Sequence, residues 1–218
     1  NILNELKNSS KWTYDHSKRV SELCKIISKN LGYDTYLFEE AGLFHDLGKM
    51  CINHDILNSS TDTRGDNISK EQKDNIINEL KLHPKYTKLI LDKYNFPFYY
   101  SCKYTFNRKN NHDPKINHDF PTICADHHEK LDGKGGYGFN DKPKLEKDIC
   151  FITQVVTVSD IYDSLRSARP YKPSFNHENT IKIMKKMNGI KQIYVNILEK
   201  KNPMKNLDIY NKNDKLIT

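Results

Sequence analysis

No Cys-x-x-Cys pair occurs in the chain, and its five cysteines, Cys24, Cys51, Cys102, Cys124 and Cys150, are odd in number. Neither a disulfide framework nor a thiolate zinc site is suggested, and a reducing cytoplasm fits. Long apolar runs are missing too. The longest candidate, residues 149–161, is interrupted by Thr153, Gln154, Thr157 and Ser159, so no membrane span is expected. No secretory signal is visible. The chain opens on Asn1 and not Met, so upstream residues are expected, with room among them for a sensory or receiver domain. Period-two alternation is almost absent, which leaves an all-α fold as the expectation. What the composition holds in excess is positive charge: 35 Lys and Arg against 28 Asp and Glu, a net +7. That balance suits an anionic partner such as a nucleotide, nucleic acid or acidic lipid, although it speaks to association and not to fold.

With 218 residues the chain can hold one generous domain with appendages. Val20, Leu23, Cys24, Ile27 and Leu31 recur at helical spacing over residues 11–30, with His16 on the same stripe and Gly32 as a stop. Asp34 or Thr35 can cap a second helix, on which Phe38, Ala41, Gly42 and His45 share one face; Gly48 offers its stop. Residues 53–67 read as loop with one short helical turn. Ser69, followed by Glu71 and Gln72, opens a helix through Leu82, and Pro84 starts another to about residue 93. Residues 95–121 break the pattern, aromatics first and then a polar run, and read as an irregular insertion. A short helix over about 121–129, a glycine-rich loop over 132–138, a long helix over 148–168 and one or two more between 176 and 200 complete the chain. The expected boundaries are an N-terminal extension over 1–10, a domain over 11–200 that contains the insertion, and a tail over 201–218.

The adjacent His45-Asp46 pair closes an apolar helical segment. A buried carboxylate beside a buried imidazole is costly unless something positive compensates it, and a divalent cation held by both is one strong solution. His16, His83, His127, His128 and Asp160 add further donors of the same kind. Each alone has a bland explanation: a core histidine, an ordinary His-Pro helix start, a solvent-facing His-His before a glycine loop.

Taken in order, His16, His45-Asp46 with Gly48-Lys49, His83-Pro84, His127-His128-Glu129, Asp132-Gly133, and Ser159-Asp160 with Asp163 and Arg169-Pro170-Tyr171-Lys172 resemble the HD-GYP branch of the HD-domain metal-dependent phosphohydrolases. The resemblance runs from about His16 to Lys172. It implies an all-α HD-domain helical bundle with a metal centre in its core and the aromatic-rich insertion outside it. It further implies hydrolysis of cyclic di-GMP to pGpG, and on to GMP in some members. Carried over position by position, the metal ligands are His16, His45, Asp46, His83, His127, His128 and Asp160, with Asp46 bridging. Lys49 then reaches the reacting phosphate, Arg169 and Lys172 grip the substrate, and Asp163 helps to position that end of the site. Two six-coordinate ions need about twelve positions, of which these residues fill about eight; the rest are open to a bridging hydroxide and phosphate oxygens. Five imidazoles and no thiolate favour iron or manganese over magnesium and leave zinc open, and two ions are expected.

Three departures stand out. The family loop reads DGxGYP, whereas here it is Asp132-Gly133-Lys134-Gly135-Gly136-Tyr137-Gly138, with an extra glycine and no proline; Tyr137 is the best match to the family tyrosine. Some members bind a third metal through a Glu four residues before the first His, and this chain has Trp12 there, which cannot ligate. The 95–121 insertion is open to two readings, a lid whose aromatics stack on guanine, or an aromatic patch packed on the core or in a homodimer. The function classes in play are therefore a cyclic di-GMP phosphodiesterase, a hydrolase of another cyclic dinucleotide or a phosphomonoester, and a non-catalytic dinucleotide-binding signalling module. A duplex nucleic-acid binder is the weakest of the alternatives.

Overall fold

A computed structural model describes residues 2–58, 69–94, 118–134, 136–140, 142–167 and 174–205. Among them there are ten α-helices and no strand beyond an isolated bridge between Asp132 and Leu145. The helices are α1 (Ile2–Ser9), α2 (Lys11–Asn30), α3 (Tyr36–Phe44), α4 (His54–Asn58), α5 (Lys70–Leu80), α6 (His83–Lys93), α7 (Phe120–Ala125), α8 (Phe151–Arg166), α9 (His177–Lys185) and α10 (Gln192–Lys201). A 3-10 turn, Leu47–Cys51, links α3 to α4. None of the helices is long and apolar enough to cross a membrane.

Local side-chain caps set four of the starts. Ser10 accepts from the Thr13 N–H and begins α2. Ser69 and Gln72 form a reciprocal capping box on α5, Asp119 caps α7 and Asn176 caps α9. The core lies where α2, α3 and α8 pack together, with Val20, Leu23, Ile27, Phe38, Ala41, Val155, Val158 and Tyr162 all buried in it. α8 is buried around most of its circumference, as a central helix must be. Its last residue, Arg166, is buried and donates to the carbonyls of Phe175 and Met204, so it ties the segments flanking α9 and α10 to the bundle.

Three expectations change. Residues 1–10 read in the sequence as an extension, whereas α1 places Ile2 and Leu6 in the main core. The helix expected to about residue 129 ends at Ala125, so His127 and His128 sit in a turn closed by the Glu129 N–H on the Asp126 carbonyl. Gly48 is not the stop of α3, which already ends at Phe44. A Cβ on Gly48 would lie 1.9 Å from the His83 carbonyl oxygen and 2.5 Å from the Thr87 nitrogen, so the glycine is there to let α6 approach. Of the 95–121 insertion only residues 118–121 are described, and they lead into α7.

Candidate metal centre

Five separate pieces of chain bring seven side chains to one point. His16 comes from the middle of α2, His45 and Asp46 from the turn after α3, His83 from the first residue of α6, His127 and His128 from the turn after α7, and Asp160 from α8. Asp46 lies at the centre. Its Oδ1 is 3.2 Å from His83 Nε2 and 3.7 Å from His127 Nε2. Its Oδ2 is 3.5 Å from His16 Nε2 and 3.4 Å from His45 Nε2. Asp160 Oδ1 stands 3.1 Å from His16 Nε2, and His128 Nε2 is 3.1 Å from His83 Nε2. The donors thus form two groups, His83/His127/His128 and His16/His45/Asp160, each with donor atoms within 4.8 Å of one another and each facing one oxygen of Asp46.

The proton positions show what these groups fit. Nδ1 of His45, His83 and His127 lies 2.7, 2.6 and 2.7 Å from the carbonyl oxygens of Gly42, Leu80 and Cys124, three residues earlier in each case. A carbonyl only accepts, so each Nδ1 carries the proton and each Nε2 presents a lone pair inward. His83 Nε2 and His127 Nε2 then face each other at 3.3 Å with no hydrogen between them. His45 Nε2 and Asp46 Oδ1 are buried without a hydrogen bond. Converging lone pairs and orphaned buried acceptors are what a cation relieves, so the residues present fit divalent metal.

Electrostatics point the same way. Burial and neighbouring imidazoles hold His127 well below its usual range, and burial with His83 pushes His128 down to about 3. Burial also lowers His45, against the pull of Asp46. His16 is the exception. Burial opposes its charge, but hydrogen bonds to Asp160 and Asp163 outweigh it and raise the imidazole to about 9. Asp46 is driven up by burial and further down by Lys49, His45 and His83, ending well below the carboxylate range.

The turn that carries the pair is pinned from α6, where Thr87 Oγ1 donates to the His45 carbonyl and accepts from the Gly48 N–H. Thr157 of α8 donates to the His127 carbonyl and holds the second turn. Lys49 Nζ sits 2.5 Å from Asp46 Oδ2 with its head at the edge of the site. Tyr137 stacks on the His128 ring, centroids 4.4 Å apart, and its N–H donates to the His128 carbonyl. The missing proline has a physical counterpart. A Cβ at Gly138 would lie 2.6 Å from Glu129 Oε1 and 3.2 Å from Asp126 Oδ1, so a proline there would require those carboxylates to shift.

Asp163 is corrected. The resemblance has it help to position the substrate end of the site, whereas its side chain is wholly buried, with one oxygen 2.7 Å from His16 Nδ1 and a forked contact from Arg19. It can orient His16 and cannot touch a ligand. Arg169 and Lys172 lie outside the described residues.

Sequence reasoning passed over Arg19, although it sits one turn after His16 on α2, as Asp163 sits one turn after Asp160 on α8. It also passed over Asp126 and Lys144, which interlock with Glu129 behind the His127-His128 turn. Lys144 Nζ is 2.5 Å from Asp126 Oδ2, the Lys144 N–H donates to Glu129 Oε2, and burial pushes Asp126 up to about 6 against the pull of Lys144. Nothing in residue type or spacing marks that cluster.

A family model described as "HD domain" matches residues 2–193. The chain is 28% identical over 188 residues to the Cyclic di-GMP phosphodiesterase PA4108 of Pseudomonas aeruginosa, covering 84% of this chain and 37% of the relative. It is 28% identical over 179 residues to the 3'3'-cGAMP-specific phosphodiesterase 3 of Vibrio cholerae, covering 80% and 32%. The chain thus spans about a third of the length of these relatives. Its fold is similar to the HD domain of the L. monocytogenes phosphodiesterase PgpH, with a TM-score of 0.57, 17% identity and coverage of 96% and 98%. A second structure of that domain, in complex with cyclic-di-AMP, gives a TM-score of 0.54 at 18% identity, covering 96% of each chain.

Proposed function

Since the chain belongs to the HD-domain family, we propose that it is a metal-dependent phosphodiesterase of the HD-GYP branch that opens cyclic dinucleotides, with cyclic di-GMP as the leading substrate and pGpG as its product. The observation that carries this reading is the split of donors about Asp46, one carboxylate oxygen to each histidine group. Such an arrangement suits two ions a bridge apart, and the five imidazoles with two carboxylates and no thiolate favour iron or manganese. Bound there, the ions would supply Lewis acidity to a phosphodiester and a water of lowered pKa.

The protein's own part is to hold and to neutralise. Hydrogen bonds at Nδ1 fix the rings of His16, His45, His83 and His127. Lys49, paired with Asp46, brings a positive charge to the edge where a phosphate arrives. The stacking of Tyr137 on His128 supports a substrate contact there, and Arg169 and Lys172 complete the grip as contacts proposed from the sequence. We place the domain in the cytoplasm; Cys24, Cys51 and Cys124, none of them in a disulfide, support a reducing compartment.

A second reading, another cyclic dinucleotide as substrate, is favoured by the relative named for 3'3'-cGAMP and by the altered loop at Gly138. Protein loaded anaerobically with Fe(II) or with Mn(II) and given cyclic di-GMP, 3'3'-cGAMP and cyclic di-AMP in parallel decides between them by chromatography of the products. Linear dinucleotide from cyclic di-GMP at the highest kcat/KM, abolished by Asp46→Ala, is the expected result. Tight binding of all three without turnover would make the chain a signalling module instead.

A further inference from the structure

The one tryptophan in the chain stands at the lip of the metal centre. Trp12 lies one helical turn before His16 on α2, and its indole is stacked on that imidazole with centroids 5.4 Å apart and planes 7° from parallel. Lys49 Nζ is 6.0 Å from the indole centroid. The stretch of α2 around it buries Thr13, His16 and Ser17, yet Trp12 itself keeps 38% of its surface in solvent. An indole so exposed, beside a cluster of charged and polar side chains, adds little to the core. The far end of the histidine line repeats the device. Tyr137 stacks on His128 at 4.4 Å and 25°, and Lys81 Nζ stands 5.9 Å from the tyrosine ring.

We propose that Trp12 is a base-stacking subsite, which takes a purine of the substrate while the adjoining phosphodiester sits over Asp46. The inference rests on the dinucleotide reading above and adds the residue that selects for a base. Its geometry suits the task. His16, on which the indole lies, has its Nε2 3.5 Å from Asp46 Oδ2, and Lys49 Nζ, 6.0 Å from the indole centroid, is 2.5 Å from the same oxygen, so the ring neighbours the reacting centre. Every nucleobase has a π-face, and stacking on an aromatic side chain binds it without reading its edge. Lys49 then serves both ends of the same nucleotide, with its charge between the indole and the carboxylate. The position that binds metal in some members of the branch is here given to the substrate.

Because Trp12 is the sole tryptophan, its fluorescence reports the site directly. Metal-loaded protein is titrated with the bisphosphorothioate analogue of cyclic di-GMP, and separately with dimethyl phosphate, which has no base. Saturable quenching by the analogue alone is expected. In steady-state assays Trp12→Ala is expected to raise KM for cyclic di-GMP about tenfold, more than it lowers kcat, with metal content retained, while Trp12→Phe recovers most of the loss. Binding of the analogue by calorimetry with no change in emission would overturn the inference, as would an unchanged KM in Trp12→Ala. Loss of metal in step with activity would also overturn it, since the indole would then serve only His16. A wild type that neither binds nor cleaves any cyclic dinucleotide removes the parent reading, and this one with it.

Discussion

His16 is the side chain in which position, charge and partner are most tightly linked. Its Nε2 faces Asp160 and Asp46, and its Nδ1 donates to Asp163, which Arg19 holds in turn through Nε at 2.7 Å and Nη2 at 3.1 Å. A carboxylate behind a ligand imidazole fixes its tautomer and raises its basicity, and losing such a partner typically costs about 10- to 100-fold in metal affinity. Asp163→Asn and Arg19→Gln are therefore expected to weaken metal binding by that order, read by competition against a chromogenic chelator, with the helical circular dichroism retained. Arg19→Lys should recover only part, since an ammonium cannot fork onto both oxygens. Equal affinities across the series would show that Asp163 merely fills space. The histidines and Asp160 were legible in the sequence because each carries a donor at a motif position. Arg19 was not, because its role exists only once α2 and α8 lie side by side.

α3, α6 and the turn between α3 and α4 meet at Gly48, and this contact sets His83 against Asp46. A methyl group there would collide with backbone atoms of α6, which cannot swing aside as a side chain can. Gly48→Ala is expected to cost about 3 kcal/mol or more, a fall in Tm of roughly 6–12 °C for a chain of this size, and to displace His83 from its metal group. A melt in chelator separates the packing loss from the metal loss; an unchanged Tm there would mean that α6 can retreat freely. Helical periodicity and caps made α2, α5 and α8 readable to within a few residues, since apolar spacing and a capping serine are local facts. The Gly48 contact is not local. In sequence the residue reads as a helix stop, and only the crossing with α6 shows why no other side chain fits. The shortening of α7 has the same origin, because Thr157 on α8 captures the His127 carbonyl from across the core.

The proposed ligands run from residue 16 to residue 160, so a bound metal would cross-link the whole bundle and couple its stability to loading through pH. In chelator-treated protein, His16 is raised to about 9 in the fold, against an ordinary value near 6.5. Its contribution is fully present below 6.5 and is lost as pH rises through 9. His45, His127 and His128 are lowered, so the unfolded chain takes up their protons first and stability falls as pH drops below 6.5. The lowered carboxyls of Asp46, Asp160 and Asp163 add a further loss in stronger acid. Tm of the metal-free protein should therefore peak near pH 6.5. A metal held by His16 would reverse the alkaline arm, because the ion would have to displace the proton there and would bind more tightly as that proton becomes easier to remove. Free metal at about 100 times Kd stabilises by about 2.7 kcal/mol, a rise in Tm of roughly 5–11 °C. Scanning calorimetry of the loaded and stripped protein between pH 6 and about 9 should show the gap in Tm widening steadily. A gap that stays level over that range would mean that His16 holds no proton for the metal to replace, and the histidine at the start of the resemblance would leave the ligand set.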